Sequence, residues 1–166
     1  MVTLSSELNV LIATALWLLR NGWTIEAMSI AVGHGLPSID YQKRKIREAL
    51  IGEKMETISF KAKGPDIVAR SQEGIWRIEC KGMGGGKSQT HRNNFDRAVA
   101  SVMSYFDDSS TRLGLALAND YLWAYNFQER LPRAFREATN LWIFLLEKET
   151  LYSYKPNDEL PFPGVI

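Results

Sequence analysis

The chain has 166 residues, of which 45% are hydrophobic and 23% charged, with a formal net charge of +1. That length suits a single domain over residues 1–166 with a core of its own, and the near-average composition excludes disorder, collagen-like repeats and a disulfide scaffold. The charge balance excludes a sequence-blind polycation, but not a nucleic-acid enzyme whose basic residues cluster on one face.

The lone cysteine, Cys80, cannot form an internal disulfide. With no secretory signal in view, the expected setting is the reducing cytoplasm. The apolar stretch 10–19 lacks a basic leader, has Glu7 just upstream, and is far shorter than the ~20 apolar residues of a membrane span, so no membrane partner is expected.

In chain order, Leu4, Leu8, Leu11, Ile12, Ala15, Leu18 and Leu19 recur at helical spacing behind Ser5-Ser6 and stop at Asn21-Gly22, predicting a first helix. Residues 23–32 read as strand or helix, and 36–38 as loop. Residues 40–53 predict a second helix capped by Asp40, with Ile46, Ala49 and Leu50 on its buried side. Residues 57–63 alternate as a half-buried strand; 66–70 and 75–80 predict two more, joined by a tight turn at 71–74. A glycine-rich loop covers 81–88, a helix 93–106 and an apolar strand 112–118. Residues 120–139 are mostly helical with a break or restart at Pro132, 141–146 form an apolar strand, and 151–154 another. The expected fold is α/β: a mixed central sheet flanked by helices, in the order helix, strand meander, helix, strand, helix, strand.

The chemistry lies in Pro65-Asp66 and Glu79-Cys80-Lys81. Asp66 opens one strand of the predicted hairpin and Glu79 and Lys81 close the other, so antiparallel pairing places them at one edge. Glu79 and Lys81, two apart, point to the same face. Two carboxylates suit a hard divalent cation, which often takes only one or two from the protein and leaves room for water and phosphate. Such a cation lowers the pKa of a water and neutralises phosphate charge. A lysine alongside orients or deprotonates that water, or serves as a fixed donor to the transition state.

Pro65-Asp66 … Glu79-Cys80-Lys81 resembles the signature of the PD-(D/E)xK, restriction-endonuclease-like nucleases, and the resemblance spans about residues 5–118. It implies a restriction-endonuclease-like core (α-β-β-β-α-β) with C-terminal additions. It further implies Asp66, Glu79 and the Cys80 carbonyl as ligands of Mg²⁺ or Mn²⁺, and Lys81 as the catalytic lysine. Many members add a glutamate on the first helix, and Glu7 before Gly22-Trp23 fits that pattern. Glu7 falls about 20° beyond Leu18 on the helical wheel and so can face the sheet. Glu53 is the competing candidate. Compact members lack the roughly thirty residues between Trp23 and the strand at 57, and that segment leaves open which stretch is the first strand.

Gly82, Gly84, Gly85 and Gly86 would let backbone approach a phosphate, and Lys87, Gln89, Arg92 and Asn94 follow at a helix mouth that favours anions; these are the expected nucleic-acid contacts. Gly86-Lys87-Ser88 is not a P-loop, because Lys81 stands where that motif needs glycine. His91 reads as a loop histidine, and Trp17, Trp76, Trp123 and Trp142 as core. The basic runs Lys43, Arg44, Lys45, Arg47 and Arg130, Arg133, Arg136 read as solvated helix faces that could track a phosphate backbone. The expected activity is metal-dependent hydrolysis of duplex or branched DNA. A catalytically inactive nucleic-acid-binding module or subunit on the same fold is the alternative. Cutting both strands often takes two active sites, which makes a homodimer one expected assembly.

Overall fold

A computed structural model of the chain describes residues 6–53, 58–83, 87–108 and 110–161. Helix α1 (Glu7–Arg20) starts behind Ser6, whose hydroxyl accepts from the Asn9 amide, and its apolar stripe buries Val10, Leu11, Ala15 and Leu18. Strand β1 (Thr24–Ser29) and helix α2 (Ile39–Ala49) follow; Ser38 rather than Asp40 is the N-cap of α2. Next come β2 (Ser59–Lys61), β3 (Ile67–Ser71), β4 (Gly74–Lys81), α3 (Ser88–Ser104) and β5 (Thr111–Ala118). The chain ends in α4 (Tyr121–Arg130), α5 (Arg133–Thr139), β6 (Leu141–Glu147) and β7 (Thr150–Tyr154). Proline at 132 caps α5, where it cannot cost a helical hydrogen bond.

The strands form one mixed sheet in the order β2-β1-β3-β4-β5-β6-β7. β3 and β4 are the predicted hairpin, and β4, β5 and β6 run parallel, linked by helices as parallel neighbours require. β5 and β6 are almost wholly apolar because both sheet faces are covered there. On one face Val10, Ala15 and Leu18 of α1 pack with Trp76, Ile78 and Cys80; on the other Phe95, Ala98 and Val102 of α3 and Trp123 of α4 pack with Leu113 and Leu115. Trp76 sits edge-on to Trp17, Trp23, Trp142 and Phe144, so the tryptophans belong to the core as expected.

Two further expectations change. The meander does not run through the strand predicted at 57–63. β1 lies between β2 and β3, antiparallel to β3, and β2 joins β1 in parallel at the sheet edge. Residues 23–32 therefore supply the first strand of the antiparallel set, with Ile25 and Met28 buried. Helix α3 begins at Ser88, five residues before the predicted start, behind a Lys87 that makes no side-chain cap. Packing of His91 and Phe95 on Trp123 holds that polar first stretch in the helix, overriding its weak propensity.

Candidate active site

The β3–β4 hairpin is closed by pairing of Ile67 with Ile78 and of Ser71 with Gly74. This register sets Asp66 beside the end of β4, where its Oδ2 accepts the Cys80 backbone amide at 2.7 Å. Ser29 of β1 secures the approach: its amide donates to the Asp66 carbonyl at 3.0 Å and its hydroxyl to the Pro65 carbonyl at 2.9 Å. Glu79 and Lys81 share a strand face, with Lys81 Nζ 2.9 Å from Glu79 Oε1. The remaining oxygen, Oε2, accepts the Tyr105 hydroxyl at 2.8 Å.

Glu7, the first residue of α1, completes the group, its Oε2 3.8 Å from Lys81 Nζ. The approach depends on Gly82. A Cβ there would lie 2.4 Å from the Glu7 backbone nitrogen and 2.7 Å from the Ser6 carbonyl carbon. The close contact that Gly82 permits is thus with the start of α1. Glu53 sits in the turn after α2, and among the described residues no ion pair joins it to this cluster. Glu7 is the helix glutamate that reaches Lys81.

Three carboxyl groups thus surround one ammonium at the end of β4. Burial, and next the charge of Glu79, push the Asp66 carboxyl from 3.8 up to about 7, against the pull of the Cys80 amide and Lys81. Burial also raises Glu7 above its ordinary value, with Lys81 acting the other way. For Lys81 burial disfavours the ammonium, but Glu7, Glu79 and Asp66 together outweigh it and hold its pKa above that of an ordinary lysine. Lys81 is therefore a cationic donor here. Burial and the Glu79 charge keep the Tyr105 phenol protonated, as its hydrogen bond to Glu79 requires. Cys80 turns to the α1 face, fully buried; burial raises its thiol well above the usual range and favours the protonated form.

Among the described residues, no three or more His, Cys, Asp and Glu side chains are grouped to hold a metal ion. Asp66 and Glu79 are hard oxygen donors brought to one strand edge, where Glu7 adds a third carboxyl beside the ammonium of Lys81. That chemistry fits a cation bound through one or two carboxylates, with water and phosphate filling the other positions.

The expected nucleic-acid contacts fall on the first turns of α3. Lys87, Gln89 and Arg92 are exposed and Asn94 half-buried. Arg92 donates to Gln89 Oε1 at 2.8 Å and Gln89 to Asn93 Oδ1 at 2.9 Å. Among the described residues no hydrogen bond or ion pair links these four to the acid cluster. Gly84, Gly85 and Gly86 lie outside the described residues. His91 is not a loop residue: it is buried in α3 against Trp123, whose indole donates to the Gly82 carbonyl at 3.1 Å.

The arginine run spans the end of α4 and α5, with Arg130 and Arg133 exposed. Arg130 grips Asp96 with both nitrogens, Arg133 pairs with Glu137, and Arg136 is buried, donating to the carbonyls of Lys155 and Asp158. Sequence reasoning missed Tyr105 and Ser29. Tyr105 follows α3, 26 residues beyond the carboxylate it serves. Ser29 lies in the stretch whose strand assignment was open. No helix among the described residues is long and apolar enough to cross a membrane. Comparison with protein-family models, with curated proteins and with solved structures found no match to this chain.

Proposed function

We propose that this chain is a metal-dependent deoxyribonuclease of the PD-(D/E)xK type. The observation that carries the reading is the convergence of Asp66, Glu79, Lys81 and Glu7, from two adjacent strand ends and a helix start, on one partly open site. The order α1, β1, β3, β4, α3, β5 supports a restriction-endonuclease-like core with α2 and β2 as insertions.

Asp66, Glu79 and the Cys80 carbonyl would hold Mg²⁺ or Mn²⁺, which supplies Lewis-acid stabilisation of phosphate charge and a water of lowered pKa. Lys81 donates to the phosphoryl oxygens as their charge grows in the transition state. Glu7 and Glu79 hold the Lys81 ammonium in place, and Tyr105 fixes Glu79. Water oxygen bonds to phosphorus, the bond to one ester oxygen breaks, and that oxygen leaves with a proton.

The test is cleavage of linear duplex, branched and single-stranded DNA with Mg²⁺, Mn²⁺ or chelator, beside Lys81→Ala and Asp66→Ala. Metal-dependent cleavage that both substitutions reduce by about a hundredfold or more, roughly 3 kcal/mol of transition-state stabilisation, is the expected result. A folded, metal-loaded protein that cuts none of these DNAs would sink the reading in favour of a binding module.

A further inference from the structure

A cavity of about 340 Å³ opens beside the acid cluster, between the start of α1, the loop after β1 and helix α2. Its size lies within the range of roughly 300–1,000 Å³ seen for small-ligand sites. Leu8, Leu11, Ile12, Leu36 and Pro37 wall it, and its lining joins Glu7 and Asp66 to Tyr41, Gln42 and Lys45 of α2. The walls do not suit a bare phosphate, which needs donors. They suit a flat, largely apolar group attached to whatever sits at the carboxylates.

We propose that this cavity receives an unstacked nucleobase, so that the DNA cut by this chain carries an unpaired nucleotide next to the scissile phosphate. The inference rests on the nuclease reading and names the substrate class of the same site. Tyr41, one turn before Lys45 on α2, brings an aromatic ring to the cavity lining and is 40% exposed. Lys45 Nζ lies over that ring at 5.8 Å from its centre and the Arg44 guanidinium at 5.4 Å, so a base that stacks on Tyr41 takes the place of one of these cations and frees it for the phosphodiester backbone. An aromatic face beside basic side chains is how single strands are held without sequence readout.

Gln42, only 4% exposed, lines the cavity and ties α2 to the loop after β1, its Nε2 donating to the carbonyls of Ala31 and Pro37 at 2.9 Å each. A base inside an intact duplex must first leave its stack to enter. An unpaired base forgoes little, and that difference is the source of selectivity.

The experiment measures binding in chelator, by fluorescence anisotropy, of one sequence as single strand, singly mismatched duplex and fully paired duplex. Cleavage of the same three DNAs is then timed with Mg²⁺. Wild type is compared with Tyr41→Ala, which removes an exposed ring, and Ala31→Phe, which fills the cavity from its half-buried lining; thermal melting of each variant checks folding. The expected result is that open and mismatched DNA bind tighter than the paired duplex by about tenfold, the scale of one base–aromatic stack. Both variants erase that preference. Equal binding and cutting of all three DNAs, a preference that survives both variants, or no DNA binding at all would overturn the proposal. Cleavage without preference removes the cavity's role and leaves the nuclease intact; preference without cleavage removes the nuclease and leaves the base pocket.

Discussion

Asp66 carries the clearest consequence at the scale of a single residue. Its carboxyl titrates at 3.8 when unperturbed and at about 7 in the fold, raised first by burial and then by Glu79. Between those values the folded state holds a proton that the unfolded state has lost, so stability falls as pH rises through that window and is greatest below it. Glu7, also raised, acts in the same direction. The metal-free protein is expected to lose several degrees of melting temperature between about pH 5 and 8, and Asp66→Asn to flatten the loss. Cleavage should run the other way, rising with pH as Asp66 ionises and accepts a cation. Differential scanning calorimetry across that range checks the first effect, and a pH–rate profile the second. A melting temperature that climbs from pH 5 to 8 would contradict this account of the buried carboxylates. Asp66, Glu79 and Lys81 were legible from sequence because a tight hairpin fixes its register locally. Tyr105 was not, because it reaches Glu79 only after α3 has crossed the sheet.

Between elements, the decisive junction joins α1 to the end of β4. Gly82 lets the α1 backbone come close enough for Glu7 to reach Lys81. In Gly82→Ala the new methyl meets backbone rather than a flexible side chain, so α1 must shift. An overpacking cost of about 1–3 kcal/mol follows, seen as a drop of several degrees in melting temperature. Cleavage should fall by about tenfold or more, since misplacement of a catalytic group by an ångström costs on that order or above. An alanine variant that melts and cuts like wild type would show that α1 is not seated there. The apolar stripe and serine cap of α1 were readable at 3.6-residue spacing, and so was Glu7 at the stripe's margin. The start of α3 was not. Lys87 provides no side-chain cap, and the signal that starts the helix is His91 and Phe95 meeting Trp123 from another helix.

For the molecule as a whole, the proposed activity requires a divalent cation at the acid cluster, and such a cation would stabilise the folded state that binds it. At ~100 times its dissociation constant, such a cation adds about 2.7 kcal/mol to a state that alone binds it, or roughly 5–10 °C for a chain of this size. Mg²⁺ titrated into the protein at pH 8 should raise the melting temperature by that order, and Asp66→Ala should abolish the rise. No shift up to tens of millimolar Mg²⁺ would argue against a resident cation. Helix α1, the β3–β4 hairpin, the apolar β5 and β6, and the acid–lysine signature followed from sequence alone. Each rests on periodicity or on contacts a few residues apart, which short-range geometry enforces. Only the tertiary structure decided that β1 sits between β2 and β3, that Ser29 and Tyr105 serve the site, and that α2 faces a cavity next to its carboxylates. Those features join segments far apart in the chain, and their pairing is set by how the whole sheet buries both faces, which no local pattern encodes.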